Sequence, residues 1–464
     1  MDRDTQQAPP HLPHPRQGPR PLPLHLATAL WTWQSSSAGL PLLSAGSTPS
    51  SATAGRAAAD ATEAADAAGA GDHPSVRGFA GLARHHEAWR RRLIRLRADL
   101  ALSDETVPLP ELVQGRFAAA LNRETVRRVD RFLEGVQLYR RHPAWRDFPE
   151  PAVAWSEGQS RLLDFTGFSG GAAGDGPALL MIPSLVNRWQ VLDITAERSF
   201  MRATARAGIG SYLVDWGTPV GRERGFSATD YVLRLERMLD FLRARGARRI
   251  HVGGYCMGGL LALSLAIRRQ ADIDSLLLLA TPWDFHADRT GQALMMANLP
   301  FLARLVEHAG ELPVDALQTL FYSLDPWQVI RKFTRFAGLD QDSGPAREFV
   351  LLEDWLNDGA PLPGPLAQEC LLGWYGANSP AMGTWQVAGE AVDPRRLEKP
   401  VLAIVPGQDR IVPPDSARAL APGSPIAPPR ATALELPLGH IGMVVSGRAP
   451  QMLWQPATDW LRTN

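Results

Sequence analysis

The stretch that most restricts what this chain can fold into is Gly253-Gly254-Tyr255-Cys256-Met257-Gly258-Gly259. A short run rich in β-branched residues, Arg249-Ile250-His251-Val252, leads into it, and the largely apolar Leu260 to Ile267 leads out. A strand, a tight glycine turn and a buried helix in succession form the setting of a nucleophile elbow, in which a reactive residue sits between glycines at the end of a strand. The glycines are needed because the turn is strained and the helix packs closely on the strand, leaving no room for Cβ atoms. At the reactive position stands Cys256.

The flanking pattern agrees with a sheet built around that strand. From about residue 151, strands alternate with helices, which indicates a mostly parallel sheet covered by helices. Val153 to Trp155 and Arg161 to Phe165 read as two edge strands. Ala178 to Ile182 is a continuous apolar run ended by Pro183, as expected of a strand buried on both faces. A helix is expected over 192–207, a strand over 210–215, a helix over 228–245 and a strand over 275–279. Residues 283–394 break the rhythm with many aromatic residues and scattered prolines, and read as an inserted, mostly helical cap. The sheet resumes at 400–405 and 431–436, and a helix near 452–461 closes the chain. The core thus divides into 151–282 and 395–464 around the cap.

The N-terminal part is of another kind. Residues 1–74 are rich in Pro, Ala, Gly and Ser, a composition that buries too little apolar surface to offset ordering, and are expected to be a disordered tail. Within it, Leu24 to Leu43 carries Trp31 and Trp33, a candidate short amphipathic helix. Residues 75–150 read as a helical region. Arg90 to Arg97 within it is either a solvated helix face or a surface for anions, and 110–141 has apolar residues at helical spacing.

Composition excludes several classes. The 48 basic and 48 acidic residues cancel, so no global charge favours nucleic acid or an anionic membrane. Two cysteines, Cys256 and Cys370, rule out a disulfide framework apart from a single bridge, and a paired-cysteine zinc site is absent; no metal is expected, and a reduced, cytoplasmic setting is. Cys370 reads as a small core residue on a helix. Leu22 to Trp33 is interrupted by Pro23 and His25 and is too short to span a bilayer, so no transmembrane segment is expected.

A thiol acts as a nucleophile once ionised, which calls for a base and a group orienting it. In this architecture the order along the chain is nucleophile, acid, histidine, the last two on loops after later strands. Asp409 follows the strand ending at Val405, and His440 follows the strand ending near Leu436. Among the other histidines, His251 precedes the nucleophile on its own strand, and His286 and His308 fall in the cap; Asp415 and Asp393 compete with Asp409. The backbone N–H of Met257, after the nucleophile, is one expected oxyanion donor. The second comes from the loop Pro183 to Arg188, with Val186 the chosen residue. Arg188 is a candidate for binding a phosphate or carboxylate, or for a structural ion pair.

These residues resemble the polyhydroxyalkanoate synthases, α/β-hydrolase-fold enzymes with a cysteine in a lipase-type box. The resemblance rests on Ile182 to Arg188, Leu213-Val214-Asp215-Trp216-Gly217, Gly254 to Gly259, Leu352-Glu353-Asp354-Trp355-Leu356-Asn357-Asp358-Gly359, Gln408 to Pro414 and Gly439-His440-Ile441-Gly442, spread over roughly 150–464. It implies polymerisation of (R)-3-hydroxyacyl-CoA with release of CoA and no further cofactor. Cys256 would carry the acyl chain, His440 would activate the thiol, and Asp409 would orient His440 or help deprotonate the incoming 3-hydroxyl. It also implies a homodimer at the surface of polyester granules. The N-terminal region departs from the resemblance, and no CoA-binding motif is evident. The enzymatic alternative is a thioesterase or depolymerase using the same three residues. A non-enzymatic polymer-binding scaffold is disfavoured by the intact set of Cys256, Asp409 and His440.

Overall fold

In the computed structural model, which describes residues 16–38, 109–170 and 176–464, the apolar runs of the sequence become the centre of one sheet. Its strands are β1 (Ala152–Glu157), β2 (Ser160–Asp164), β3 (Ala178–Ile182), β4 (Gly210–Asp215), β5 (Ile250–Tyr255), β6 (Ser275–Leu279), β11 (Val401–Pro406) and β12 (Ala431–Leu436). Between β6 and β11 lie two small two-stranded sheets, β7 (Glu311–Leu312) with β8 (Leu362–Pro363) and β9 (Gln386–Val387) with β10 (Glu390–Ala391). The order across the main sheet is β1-β2-β4-β3-β5-β6-β11-β12. The pairs β1–β2 and β2–β4 are antiparallel and the rest are parallel. Only β1 is therefore an edge on that side. β2, read from sequence as an edge strand, is paired on both flanks, which a local pattern does not reveal.

The central strands are fully buried, β3, β5, β6 and β11 at every residue. Alternate side chains feed two cores. Leu180, Ile182, Val252, Leu276 and Leu278 meet the helices Ala228–Ala244 and Met257–Arg268 on one face. Leu179, Met181, Leu277 and Leu279 meet the helix Phe200–Arg206 and the closing helix Gln455–Thr463 on the other. Each such fully buried aliphatic side chain contributes roughly 1.5–3 kcal/mol.

The helix expected to begin near residue 192 begins at Phe200 instead, preceded by a short 3-10 turn at Trp189–Leu192. Two interactions account for the delay. Ser199 caps the helix by accepting from the Arg202 N–H. Asp193, fully buried, is held out of the helix by Arg202 Nε at 2.6 Å and Arg146 Nη2 at 2.9 Å.

Between β6 and β11 the chain is mostly helical, with helices at Arg289–Ala309, Val314–Leu324, Gln328–Phe336 and Gly344–Asn357, then Gly364–Gln368 running into a π-helix, Glu369–Gly376. Cys370 is buried there and both cysteines are free.

Residues 16–22 and 136–464 belong to one compact unit; the described residues within 23–135 belong to a second. Of the first 74 residues, those at 16–38 are described. A helix covers Leu22–Ala38, and Arg16 makes an ion pair with Asp354. A second helix covers Leu109–Arg141, with Glu124 paired to Arg127 and Arg128 on its surface. The basic stretch 90–97 lies outside the described residues. Among the described residues, no helix is long and apolar enough to cross a membrane.

Candidate active site

Cys256 stands between β5 and the helix Met257–Arg268 with φ +54° and ψ −127°. A positive φ costs a side-chain-bearing residue on the order of 1–3 kcal/mol, a strain that persists only where the surroundings enforce it. Here they do. The Cys256 N–H donates to the Leu279 carbonyl at 2.8 Å, and its carbonyl accepts from Gly259 at 2.9 Å. A Cβ at Gly258 would lie 2.2 Å from the Ile182 carbonyl oxygen and 2.5 Å from that of Pro183. Only glycine lets the helix start press against the end of β3. Half-buried Cys256 touches apolar side chains of both cores.

Two strands across the sheet, β11 delivers Asp409, and the neighbouring β12 delivers His440. Past the strand ends, the Gly407 N–H still bonds the Leu436 carbonyl at 2.7 Å, so the two loops leave together. Asp409 and His440 are buried, and His440 Nδ1 is 2.6 Å from Asp409 Oδ2. The other carboxylate oxygen, Oδ1, accepts from the Ile411 and Val412 N–H groups at 2.8 and 2.9 Å. His440 lies within electrostatic reach of Cys256. Burial by itself favours the neutral ring. The negative charge of Cys256 and the Asp409 carboxylate outweigh it and push His440 up to about 10.

The competing residues are engaged elsewhere. Asp415 pairs with Arg418, and Asp393 pairs with Arg395. His251 Nδ1 meets Ser275 Oγ at 2.8 Å, while His286 and His308 bond the carbonyls of Tyr375 and Arg304. Among the described residues, no group of three or more His, Cys, Asp or Glu could hold a metal ion.

Met257 is the first residue of its helix, so its N–H lacks an intrahelical acceptor and is available beside Cys256. Val186 is less free than the sequence reading assumed. Its N–H bonds Ser184 Oγ at 3.3 Å, and its carbonyl accepts from Ala360 at 3.1 Å. The 186–188 end of this loop is strapped to the end of the helix Gly344–Asn357 and to the residues just after it. Asn187 forms a bridge with Gly359, and the Trp355 indole N–H donates to the Arg188 carbonyl at 2.7 Å. The Arg188 side chain donates to Thr218 at 2.7 Å and pairs with Asp358 at 3.5 Å.

Two residues near the thiol went unnoticed in the sequence. The Tyr255 ring lies 5.0 Å from that of His440, and its hydroxyl donates to the His440 carbonyl at 3.3 Å. Tyr375, on the π-helix, is pushed upward by burial and then by the charge of Cys256, so its phenol lies within electrostatic reach of the thiol. Tyr255 had one signal, its place directly before the nucleophile; Tyr375 had none.

A family model described as the alpha/beta hydrolase fold matches residues 214–440. The poly(3-hydroxyalkanoate) polymerase subunit PhaC of Allochromatium vinosum is 29% identical over 316 residues, which is 68% of this chain and 88% of the relative. The chain is thus similar in sequence to the polyhydroxyalkanoate synthases. Two further synthase subunits of the same name support this. That of Haloferax mediterranei is 30% identical over 61% of this chain and 58% of its own length. That of Thiocystis violacea is 28% identical over 61% and 80%. The synthase-family match and the mostly parallel sheet agree on an α/β-hydrolase-fold enzyme of acyltransferase type.

Proposed function

We propose that the protein polymerises (R)-3-hydroxyacyl-CoA into polyhydroxyalkanoate through an acyl-cysteine at Cys256. The observation that carries this reading is the 2.6 Å pairing of buried His440 with Asp409 beside a strained cysteine. In the scheme, the Cys256 thiolate attacks the thioester carbonyl of the substrate. The oxyanion is met by the Met257 N–H and a donor of the 183–188 loop. CoA leaves as a thiol, with the proton supplied by His440, and the acyl chain stays on sulfur. The 3-hydroxyl of a second acyl unit then attacks the acyl-cysteine. His440 removes its proton and returns it to the departing sulfur. Both carboxylate oxygens of Asp409 are already occupied, which favours orienting His440 over direct deprotonation of the hydroxyl.

Cysteine suits this cycle because acyl exchange between sulfurs is close to isoenergetic, so the enzyme recharges each turn. The scheme calls for no metal or organic cofactor. The same reading makes the protein a cytoplasmic homodimer at the surface of polyester granules. Its support is the set of large apolar side chains exposed between β6 and β11, including Phe301, Trp327, Leu372 and Met382.

The test gives purified protein 3-hydroxybutyryl-CoA and longer homologues and follows CoA and polymer together. Polymer formation abolished by Cys256→Ala is expected. Free hydroxy acid as the only acyl product would assign the same three residues to a thioesterase or depolymerase.

A further inference from the structure

The segment around Arg16 sits far in sequence from everything that does chemistry, yet it is tied to the site by a continuous run of directional contacts. Arg16 is about nine-tenths buried; its side chain retains 11% exposure. Its Nε and Nη2 grip both oxygens of Asp354, at 2.6 and 2.7 Å, and the same guanidinium donates to the carbonyls of His142 and Ala144. A bidentate guanidinium–carboxylate pair fixes orientation as well as distance. Asp354 also accepts from the Tyr139 hydroxyl at 2.8 Å, and Asn357 Nδ2 donates to that hydroxyl at 3.1 Å. Asn357 Oδ1 in turn accepts from the Arg20 N–H at 2.8 Å.

This partly buried cluster grips the last turn of the helix Gly344–Asn357. The next residue after Asp354 is Trp355, whose indole holds the Arg188 carbonyl, and Gly359 and Ala360 pair with Asn187 and Val186. The loop so held starts at Pro183, whose carbonyl, with that of Ile182 at the end of β3, abuts Gly258, two residues from the thiol. We propose that Arg16, through Asp354 and Trp355, is a positioning residue for the oxyanion side of the site. It holds the 183–188 loop against the start of the nucleophile helix. The proposal rests on the acyl-cysteine scheme above.

Oxyanion donors act only over a narrow range of position, and a displacement of about 1 Å costs on the order of a hundredfold. The variants are Arg16→Ala, Arg16→Lys and Trp355→Phe. The last removes the indole N–H with part of the ring's bulk and keeps an aromatic ring in the core, so the test survives if Arg16→Ala fails to fold. Two rates are measured on each: the single-turnover release of CoA from 3-hydroxybutyryl-CoA, and the alkylation of Cys256 by iodoacetamide. Alkylation needs the thiolate and His440 but no oxyanion donor. Arg16→Ala and Trp355→Phe are expected to slow CoA release by about tenfold or more, with Arg16→Lys less affected and alkylation within about twofold of wild type. A fall in CoA release of less than about tenfold, or alkylation falling in step with it, overturns the proposal. Absence of CoA release from the wild type refutes the acyl-cysteine scheme itself, a different result.

Discussion

Replacing Asp409 with asparagine tests the proposed triad at its most specific contact. The Asp409 Oδ1 sits between two backbone donors, Ile411 and Val412 at 2.8 and 2.9 Å, a place that only an acceptor can occupy. An asparagine must therefore keep its carbonyl oxygen there and turn its NH2 toward His440 Nδ1, 2.6 Å away in the native pair. Two donors cannot face each other, so the neutral imidazole shifts its proton to Nε2, the nitrogen left for Cys256. A ring protonated there cannot accept the thiol proton. The substitution also removes one of the two negative charges that push His440 up to about 10, leaving burial opposed by Cys256 alone. The wrong tautomer in a nucleophile–His–Asp triad costs about 10⁴ in turnover, so a fall of roughly 10³–10⁴, ~4–5.5 kcal/mol in barrier height, is expected. The assay is CoA release from 3-hydroxybutyryl-CoA together with the pH dependence of Cys256 alkylation by iodoacetamide. The protein should remain folded, because both backbone bonds persist. Turnover within tenfold of wild type, with the alkylation profile unmoved, would show that Asp409 does not set the state of His440 and refute the reasoning.

Three further outcomes are expected. Gly258→Ala places a methyl 2.2 Å from the Ile182 carbonyl oxygen, so either β3 or the nucleophile helix must move. Thermal unfolding should show a loss of about 1–3 kcal/mol, and CoA release should fall with it. Arg202→Ala removes the main partner of fully buried Asp193 and leaves a charge held by Arg146 alone; urea titration should show a loss of ~3–5 kcal/mol. His251 is pushed down to about 4 by burial, from an ordinary 6.5, so the unfolded chain binds the proton more readily over that interval. Its contribution is present above pH 6.5 and is lost as pH falls toward 4, worth ~3 kcal/mol by linkage. His251→Leu should flatten that part of the stability–pH curve measured by denaturant titration, and an unchanged slope would assign the acid sensitivity to other groups.

What was legible in the sequence divides along a physical line. Strands buried on both faces are apolar at nearly every position, so β3, β6 and β11 announce themselves. The elbow also announces itself, because close packing of a helix start on a strand end admits only glycine at Gly258. Asp409 and His440 could be picked out because each follows a strand directly, and strand ends on one side of a parallel sheet meet in space. What was not legible lies where a partner distant in the chain decides. The helix after residue 192 is delayed by Arg146, 47 positions from Asp193. Val186 is held by Ala360, and the Arg188 carbonyl by the indole of Trp355, 167 positions away. No local pattern encodes such pairings. The same division separates the chemistry from its precision. The groups proposed to react are specified by residue types close to strand ends, whereas the loop proposed to receive the oxyanion is held by contacts that converge only in the folded chain. Substitutions in those distant straps should therefore lower the rate of acyl transfer while leaving the thiol reactive.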